Sequence, residues 1–354
     1  MRSCLFTLSS FVILSIISPV LGVTLATTSS AATPTATVPP VASVCPGTRT
    51  KFKFFGVNES GAEFNGATIP GLVNTNFVWP RTTSIDFFMS KGFNTFRIPF
   101  LMERLNPPAT GMTGPFDQNY LNSLKSIVNY ITTTKGGFAV IDPHNYMRYI
   151  NGTVISNVAH PHGNVYWPPQ SIYADVMNEP HDIAVQSVFN LNQAAINGIR
   201  ASGATSQLIL VEGTSWTGAW TWVSSGNGAA FSAIKDPNNN VAVQMHQYLD
   251  SNGSGTSATC ASATVGADRL ASATAWLKAN NLKGFLGEFA GGANDQCIAA
   301  LQGALCAMQQ SGVWIGATWW GAGPWWNANY IFNIEPPSGV AVAQVLPQAL
   351  LPFV

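Results

Sequence analysis

Three glutamates, Glu179, Glu212 and Glu288, each close a short apolar run, in the texts VMNEP, ILVEG and FLGEF. Two carboxylates in one pocket suit acid/base or nucleophilic work, because one can be held protonated while the other stays ionised. Cleavage of glycosidic bonds uses such a pair. Other polar residues end similar runs: Asn58, Glu59, Arg97, Asp142, His144, Asn145, Asn178, His246, Tyr248, Trp319 and Trp320. Tryptophan and tyrosine add flat apolar faces on which sugar rings stack, with polar tips for hydroxyls.

Each of these residues has a structural alternative. A Glu at a strand end can cap the next helix or pair with an arginine. His144 and His246 could be hydrogen-bonded structural histidines. Glu179 differs because Asn178 precedes it and Pro180 follows, fixing the local turn. Spacing alone leaves open which two of the three glutamates react. A metal reading would join His144 and His246 to His181 or Asp142. No short spacing such as HExxH supports it, and no metal is expected. His160 and His162 read as exposed loop, and Trp216, Trp220 and Trp222 lean towards a cleft. No GxSxG turn supports an esterase.

These side chains must be positioned by eight short apolar runs: Phe52–Val57, Phe93–Pro99, Phe138–Asp142, Ile172–Met177, Leu208–Val211, Val241–Met245, Phe285–Glu288 and Trp314–Trp319. Helical text lies between several of them. Over Asp117–Lys135 it puts Tyr120, Leu124, Ile127, Val128 and Ile131 on one face. Over Ala184–Ser202 the expected face is Val188, Leu191, Ala195 and Ile199. Gly266–Asn281 and Asp295–Gln310 are two further candidates. Alternating strands and helices predict a parallel sheet. Eight such units predict an α/β fold of the (β/α)8 TIM barrel type, whose site lies where the strands end. Gly56–Gly61 is a poor match to a nucleotide-binding turn. One connection does not fit. The text NGTVISNVAHPHGNVYWPPQ, residues 151–170, is rich in proline where the barrel needs its third helix. The helix 3 region is therefore expected to be irregular.

The 354 residues carry 16 Lys+Arg against 16 Asp+Glu, and only 9% are charged, against about 25% in ordinary soluble domains. No basic stripe is available for nucleic acid. With 46% hydrophobic residues the chain is too apolar for disorder. Residues 1–22 read as a secretory signal: Arg2, then an apolar core from Leu5 to Ile17, too short to span a membrane. Residues 23–46 read as a Ser/Thr/Pro-rich linker and 47–354 as the catalytic domain. Past Cys4, four cysteines remain, Cys45, Cys260, Cys297 and Cys306, which allow three pairings. Sequons at Asn151 and Asn252 stand in loop-like text and suit glycosylation, whereas Asn58 ends an apolar run and is expected to be unmodified.

The texts FFGVNESGAEF, GFNTFRIPF, VIDPHN, MNEPHD, HQYLDSNGSGT, LGEFAGG and ATWWGAGPWW bring the chain to a known family. From about Lys51 to Val354 it resembles secreted fungal endo-β-1,4-glucanases (cellulases) of glycoside hydrolase family 5. The resemblance implies a retaining hydrolase with no cofactor and a cellulose or β-glucan substrate. The protein would be secreted and monomeric, with no nucleic-acid or membrane partner. It implies that Glu179 is the acid/base and Glu288 the nucleophile. Asn178 would bind the sugar 2-hydroxyl, and Arg97 would support Glu288. His144 and His246 match the two site histidines, Tyr248 a tyrosine touching the nucleophile, and Trp320, in preference to Trp319, the floor of the −1 subsite. Glu212 has no counterpart. Cys260 and Cys297 match a bridged pair. Alternatives are a mannanase or other β-glucan hydrolase of the same fold, or a non-catalytic carbohydrate-binding protein if residues 151–174 are defective. That stretch departs from the family, either as a translated intron or as a true loop variant.

Overall fold

A computed structural model describes residues 37–155 and 172–354. The expectations for the signal, for most of the linker and for His160 and His162 lie outside the described residues. Eight strands close into one parallel barrel: β1 (Phe54–Glu59), β2 (Thr95–Phe100), β3 (Phe138–Pro143), β6 (Ile172–Asp175), β7 (Ile209–Glu212), β8 (Val241–Tyr248), β9 (Gly284–Ala290) and β10 (Trp314–Ala322). Each of the eight apolar runs supplies one strand. β4 (Arg148–Tyr149) and β5 (Thr153–Val154) form a small antiparallel pair outside the barrel.

Phe54, Val140, Tyr173, Leu208, Leu210, Ala242 and Phe285 form a separate apolar cluster. They come from six different strands or strand starts, which places them inside the barrel. Period two along each strand sends alternate side chains there. The other faces pack on the helices in a second, larger core. Gly56 marks how tightly neighbouring strands approach, since a Cβ there would stand 1.5 Å from the Thr95 carbonyl oxygen.

The helices are α1 (Val41–Val44), α2 (Thr82–Ser90), α3 (Met102–Leu105), α4 (Gln118–Asn129), α5 (Val185–Ala201), α6 (Asn227–Phe231), α7 (Val265–Ala279) and α8 (Asp295–Ser311). Asp117 caps α4 by accepting the Tyr120 N–H at 2.8 Å, and the face expected for α4 is buried. On α5 the buried face is Val188, Asn192, Ile196 and Arg200. The expected Leu191, Ala195 and Ile199 only flank it. The stripe is displaced because two polar residues take inward positions with partners of their own. Arg200 pairs with Asp236 at 2.8 Å, and Asn192 binds backbone at the end of β7.

Between β3 and β6 no helix occurs among the described residues; residues 144–155 make the β4–β5 turn instead. Disulfides join Cys45 to Cys306 and Cys260 to Cys297, with Cα separations of 5.2 and 5.3 Å. The second is the pair implied by the resemblance. Cys45 is buried directly after the α1 turn, so the folded part takes in the end of the stretch read as linker. No described helix is long and apolar enough to cross a membrane.

Candidate active site

Arg97 stands at the centre of the carboxyl end of the barrel with no exposed surface. A buried guanidinium is tolerable only when its donors are met. Here Nε donates to Asp175 at 3.0 Å, Nη1 to Asn58 at 3.0 Å and to Glu288 at 2.9 Å, and Nη2 to Asn178 at 2.7 Å. Asp142 lies 3.1 Å from Nη2. Burial pulls the Arg97 pKa down, but the surrounding carboxylates outweigh it and fix the charge. Strands from around the barrel, β1, β3, β6 and β9, therefore deliver polar ends to one cation on β2, as the shape of the barrel requires.

Glu288 Oε1 takes that Arg97 bond, and Oε2 accepts from the Tyr248 hydroxyl at 2.6 Å. Burial alone would raise its pKa; His246, Arg97, His144 and the Tyr248 hydroxyl overcome this and hold it below the ordinary value. Glu179 Oε1 is 2.7 Å from His246 Nδ1. Its pKa is raised, first by burial and then by the negative charge of Glu288. Two carboxyls in one pocket are thus pushed apart, one towards the acid and one towards the anion. One oxygen of each, with a ring nitrogen of His246, lies in a cluster whose atoms are all within 4.8 Å of one another. His246 itself is pulled down by burial and pushed well up by Glu288 and Glu212, which favours the imidazolium.

His144 Nδ1 is 2.7 Å from Asp142 and its Nε2 is 3.3 Å from Asn178 Nδ2. Burial lowers its pKa, but Asp142 and the nearby glutamates raise it to about 9. Its ring stacks on Trp320 with centroids 5.3 Å apart at 14°. Trp320 is half-buried, whereas Trp319 is wholly buried and donates to the Phe332 carbonyl. Trp320 is therefore the tryptophan presented at the mouth.

The aromatic lining continues on both sides of Trp320. Phe64 stacks on Trp325 and edges Trp326; Trp326 meets Trp320. Beyond His144 come Tyr146, His181 and the half-exposed Trp216, whose ring lies 4.6 Å from His181 at 6°. Trp220 is also half-exposed, under the Arg269 guanidinium at 4.2 Å. Trp222 is a correction: it is fully buried against Phe231 and Trp276, because the chain returns to the core to enter α6. The sequence reading missed Phe64, Trp325 and Trp326 as cleft residues, although the aromatic text WWGAGPWW held the signal for two of them. It also missed Asp175 and Gln244, which lie inside apolar runs and carry no local mark.

A family model described as Cellulase (glycosyl hydrolase family 5) matches residues 57–323. A probable endo-beta-1,4-glucanase B of Neosartorya fischeri is 49% identical over 304 residues, covering 83% of this chain and 90% of that protein. Endoglucanase 3 of Humicola insolens is 49% identical over 296 residues, covering 82% and 75%. Among solved structures, a triple mutant of an endo-beta-1,4-glucanase from Xanthomonas axonopodis pv. citri superposes with a TM-score of 0.79. It is 36% identical and covers 85% of this chain and 100% of that one. XacCel5A in complex with cellopentaose gives 0.78 at 36% identity, covering 86% and 99%.

Proposed function

The chain belongs to glycosyl hydrolase family 5, the cellulases, and from that premise we propose that Glu179 and Glu288 cleave internal β-1,4-glucosidic bonds of cellulose with retention of configuration. The observation that carries the reading is the close carboxyl pair, with one oxygen of each inside the 4.8 Å cluster. Retaining pairs stand about 5–5.5 Å apart, and inverting pairs about 6.5–9.5 Å, to admit a water.

The steps follow from the contacts. Glu288, ionised and held by Arg97 and Tyr248, attacks the anomeric carbon. Glu179 gives its proton to the departing glycosidic oxygen. Because Glu179 Oε1 already faces the His246 Nδ1–H, the transferable proton sits on Oε2. The ester that forms on Glu288 is neutral, so the repulsion that raised Glu179 disappears. Glu179 then acts as base for the water that releases the sugar. Asn178 Oδ1 is pinned by Arg97, which fixes the amide for the sugar 2-hydroxyl. The row of rings from Phe64 to Trp216 suits a run of several glucose units, and a neutral glucan needs stacking and hydroxyl partners in place of counter-charge.

The two disulfides suit an oxidising compartment. With the signal-like residues 1–22 they support secretion. The site is complete within one chain, so a monomer suffices.

The test is the first product formed from a soluble cello-oligosaccharide, followed by NMR. A β-anomer at early times is expected, with carboxymethyl-cellulose cleaved in preference to mannan. An initial α-anomer would overturn retention, and binding without turnover would favour a carbohydrate-binding protein.

A further inference from the structure

The third glutamate, Glu212, has no part in these steps, yet it is fully buried between Glu179 and the histidine bonded to the Glu179 carboxyl. It closes β7, next to the chain that leaves β6 towards Glu179 and next to β8, which carries His246. Its Oε2 accepts the backbone N–H of Glu179 at 2.7 Å. Its Oε1 faces His246 Nε2 at 3.4 Å and Arg97 Nη2 at 3.5 Å, and takes a short hydrogen bond from the Gln244 amide.

Glu179 has φ +43°. That is the left-handed region, which residues with a side chain rarely occupy, and not the extended backbone usual before a proline. The conformation turns the Glu179 N–H away from any strand partner and into the barrel, where Glu212 receives it. Glu212 is itself rigidly mounted. Asn192 of α5 donates to its carbonyl at 2.9 Å and accepts its N–H at 3.2 Å. Helix, strand and turn are thus tied in series: Asn192 to Glu212 to Glu179.

We propose that Glu212 is a positioning residue of the acid/base, setting the reach of Glu179 by capturing its backbone N–H while facing the histidine bonded to its carboxyl. The inference rests on the reading of Glu179 as proton donor. Such a role has a signature that a mere structural prop lacks. Loss of it slows substrates whose leaving group needs a proton and spares those whose leaving group does not.

The experiment compares kcat/KM for cellotetraose with that for 2,4-dinitrophenyl β-cellobioside, in the wild type, Glu212→Ala, Glu212→Gln and Glu179→Gln. A general acid contributes about 10²–10⁴-fold. Glu179→Gln should lose that factor on cellotetraose alone. Glu212→Ala should lose on the order of 10²-fold on cellotetraose and less than about 5-fold on the dinitrophenyl substrate. Glu212→Gln keeps an oxygen for the Glu179 N–H and should lose less than the alanine variant, with the same selectivity. Equal losses on both substrates, or none, overturn the proposal. Should the alanine variant fail to fold, the glutamine variant decides by the same ratio. If Glu179→Gln shows no selectivity, the assignment of Glu179 falls; if it does and the Glu212 variants do not, only this inference falls.

Discussion

Glu288 stands within a long strand of the barrel, whereas Glu179 follows a short one with few paired residues on either edge. β9 is seven residues long, buried throughout, and pairs with β8 from Gly284 to Ala290 and with β10 on the other side. β6 has four residues; it meets β3 at Ile172, Tyr173 and Ala174, and β7 at Ala174 and Asp175. The connection before it, expected to be irregular, holds no helix among the described residues. Glu288 is therefore placed by the sheet itself. Glu179 is placed by groups outside its own strand: the Glu212 carboxylate on its N–H, His246 on its carboxyl, and the backbone N–H of Trp216 on the carbonyl of Pro180 at 3.1 Å. A barrel can thus fix the residue proposed as its acid/base after a short strand if the neighbouring strands supply the hydrogen bonds that a longer ladder would have given.

The sharpest way to separate the two carboxyls is to remove the charge of each. Glu288→Gln should abolish turnover on every substrate, by more than about 10³-fold, since no leaving group departs without a nucleophile. Glu179→Gln should lose about 10²–10⁴-fold only where a proton is needed. Values of kcat/KM on activated and unactivated cellosides, which report the first bond cleavage alone, read both. Equal behaviour of the two variants would erase the distinction.

His246 joins the two residues, and its removal should move both together. In the proposed mechanism activity requires Glu288 ionised and Glu179 protonated. It falls on the acid side as Glu288 takes up a proton and on the alkaline side as Glu179 loses one. The His246 cation lowers the pKa of each. His246→Gln should therefore shift both limbs of the kcat/KM profile to higher pH. A profile whose limbs stay in place would show that the imidazole does not couple them.

The weak ladder of β6 should show in hydrogen exchange. The amides of Ala174 and Val176, bonded to Leu208 and Leu210 carbonyls at 3.2 and 3.1 Å, should exchange at least about 10-fold faster than those of Leu286 and Glu288. Equal protection would mean that β6 opens only with the whole barrel.

The sequence and the structure part company along the same line. The eight apolar runs name the eight strands because period two and β-branched content are local properties. Asp117 and the face of α4 were legible for the same reason. The three strand-end glutamates stood out in a chain with so few charges, but composition could not rank them. Only the resemblance did, by matching Glu179 and Glu288 and leaving Glu212 without a counterpart; side-chain exposures of 15%, 4% and 0% for Glu179, Glu288 and Glu212 form a gradient that does not by itself separate Glu288 from Glu212. Asp175, Gln244 and Asn192 were invisible because their partners lie on other strands, at separations of 78, 69 and 20 residues. The pairing of Cys45 with Cys306, across 261 residues, was equally beyond any local pattern.

A second acid pair, Glu59 and Glu335, tests how far burial alone can hold a proton. Ser84 Oγ lies 2.8 Å from Glu59 Oε1 and 2.9 Å from Glu335 Oε2. A hydroxyl has one hydrogen, so it can donate to only one of them; the other contact is favourable only if that carboxyl is protonated and donates to Oγ. Burial raises the Glu335 pKa too, but its Oε2 also accepts the Gly323 N–H at 2.9 Å, and that bond and Arg81 work against the rise. Glu59 has neither aid. Its Oε2 is buried without a partner, which a neutral carboxyl tolerates far better than an anion. The proton therefore belongs to Glu59, whose pKa is raised well above the ordinary value, first by burial and then by Glu335. A group whose folded pKa is raised contributes stability that is complete below its unfolded pKa and is lost as pH climbs towards the folded one. Glu59→Gln keeps the donor to Ser84 and cannot ionise. Its Tm relative to the wild type should accordingly rise from pH 4 to pH 8, in melts at constant salt. A difference that is flat with pH would mean that folding does not raise the Glu59 pKa, and one that falls would place the proton on Glu335.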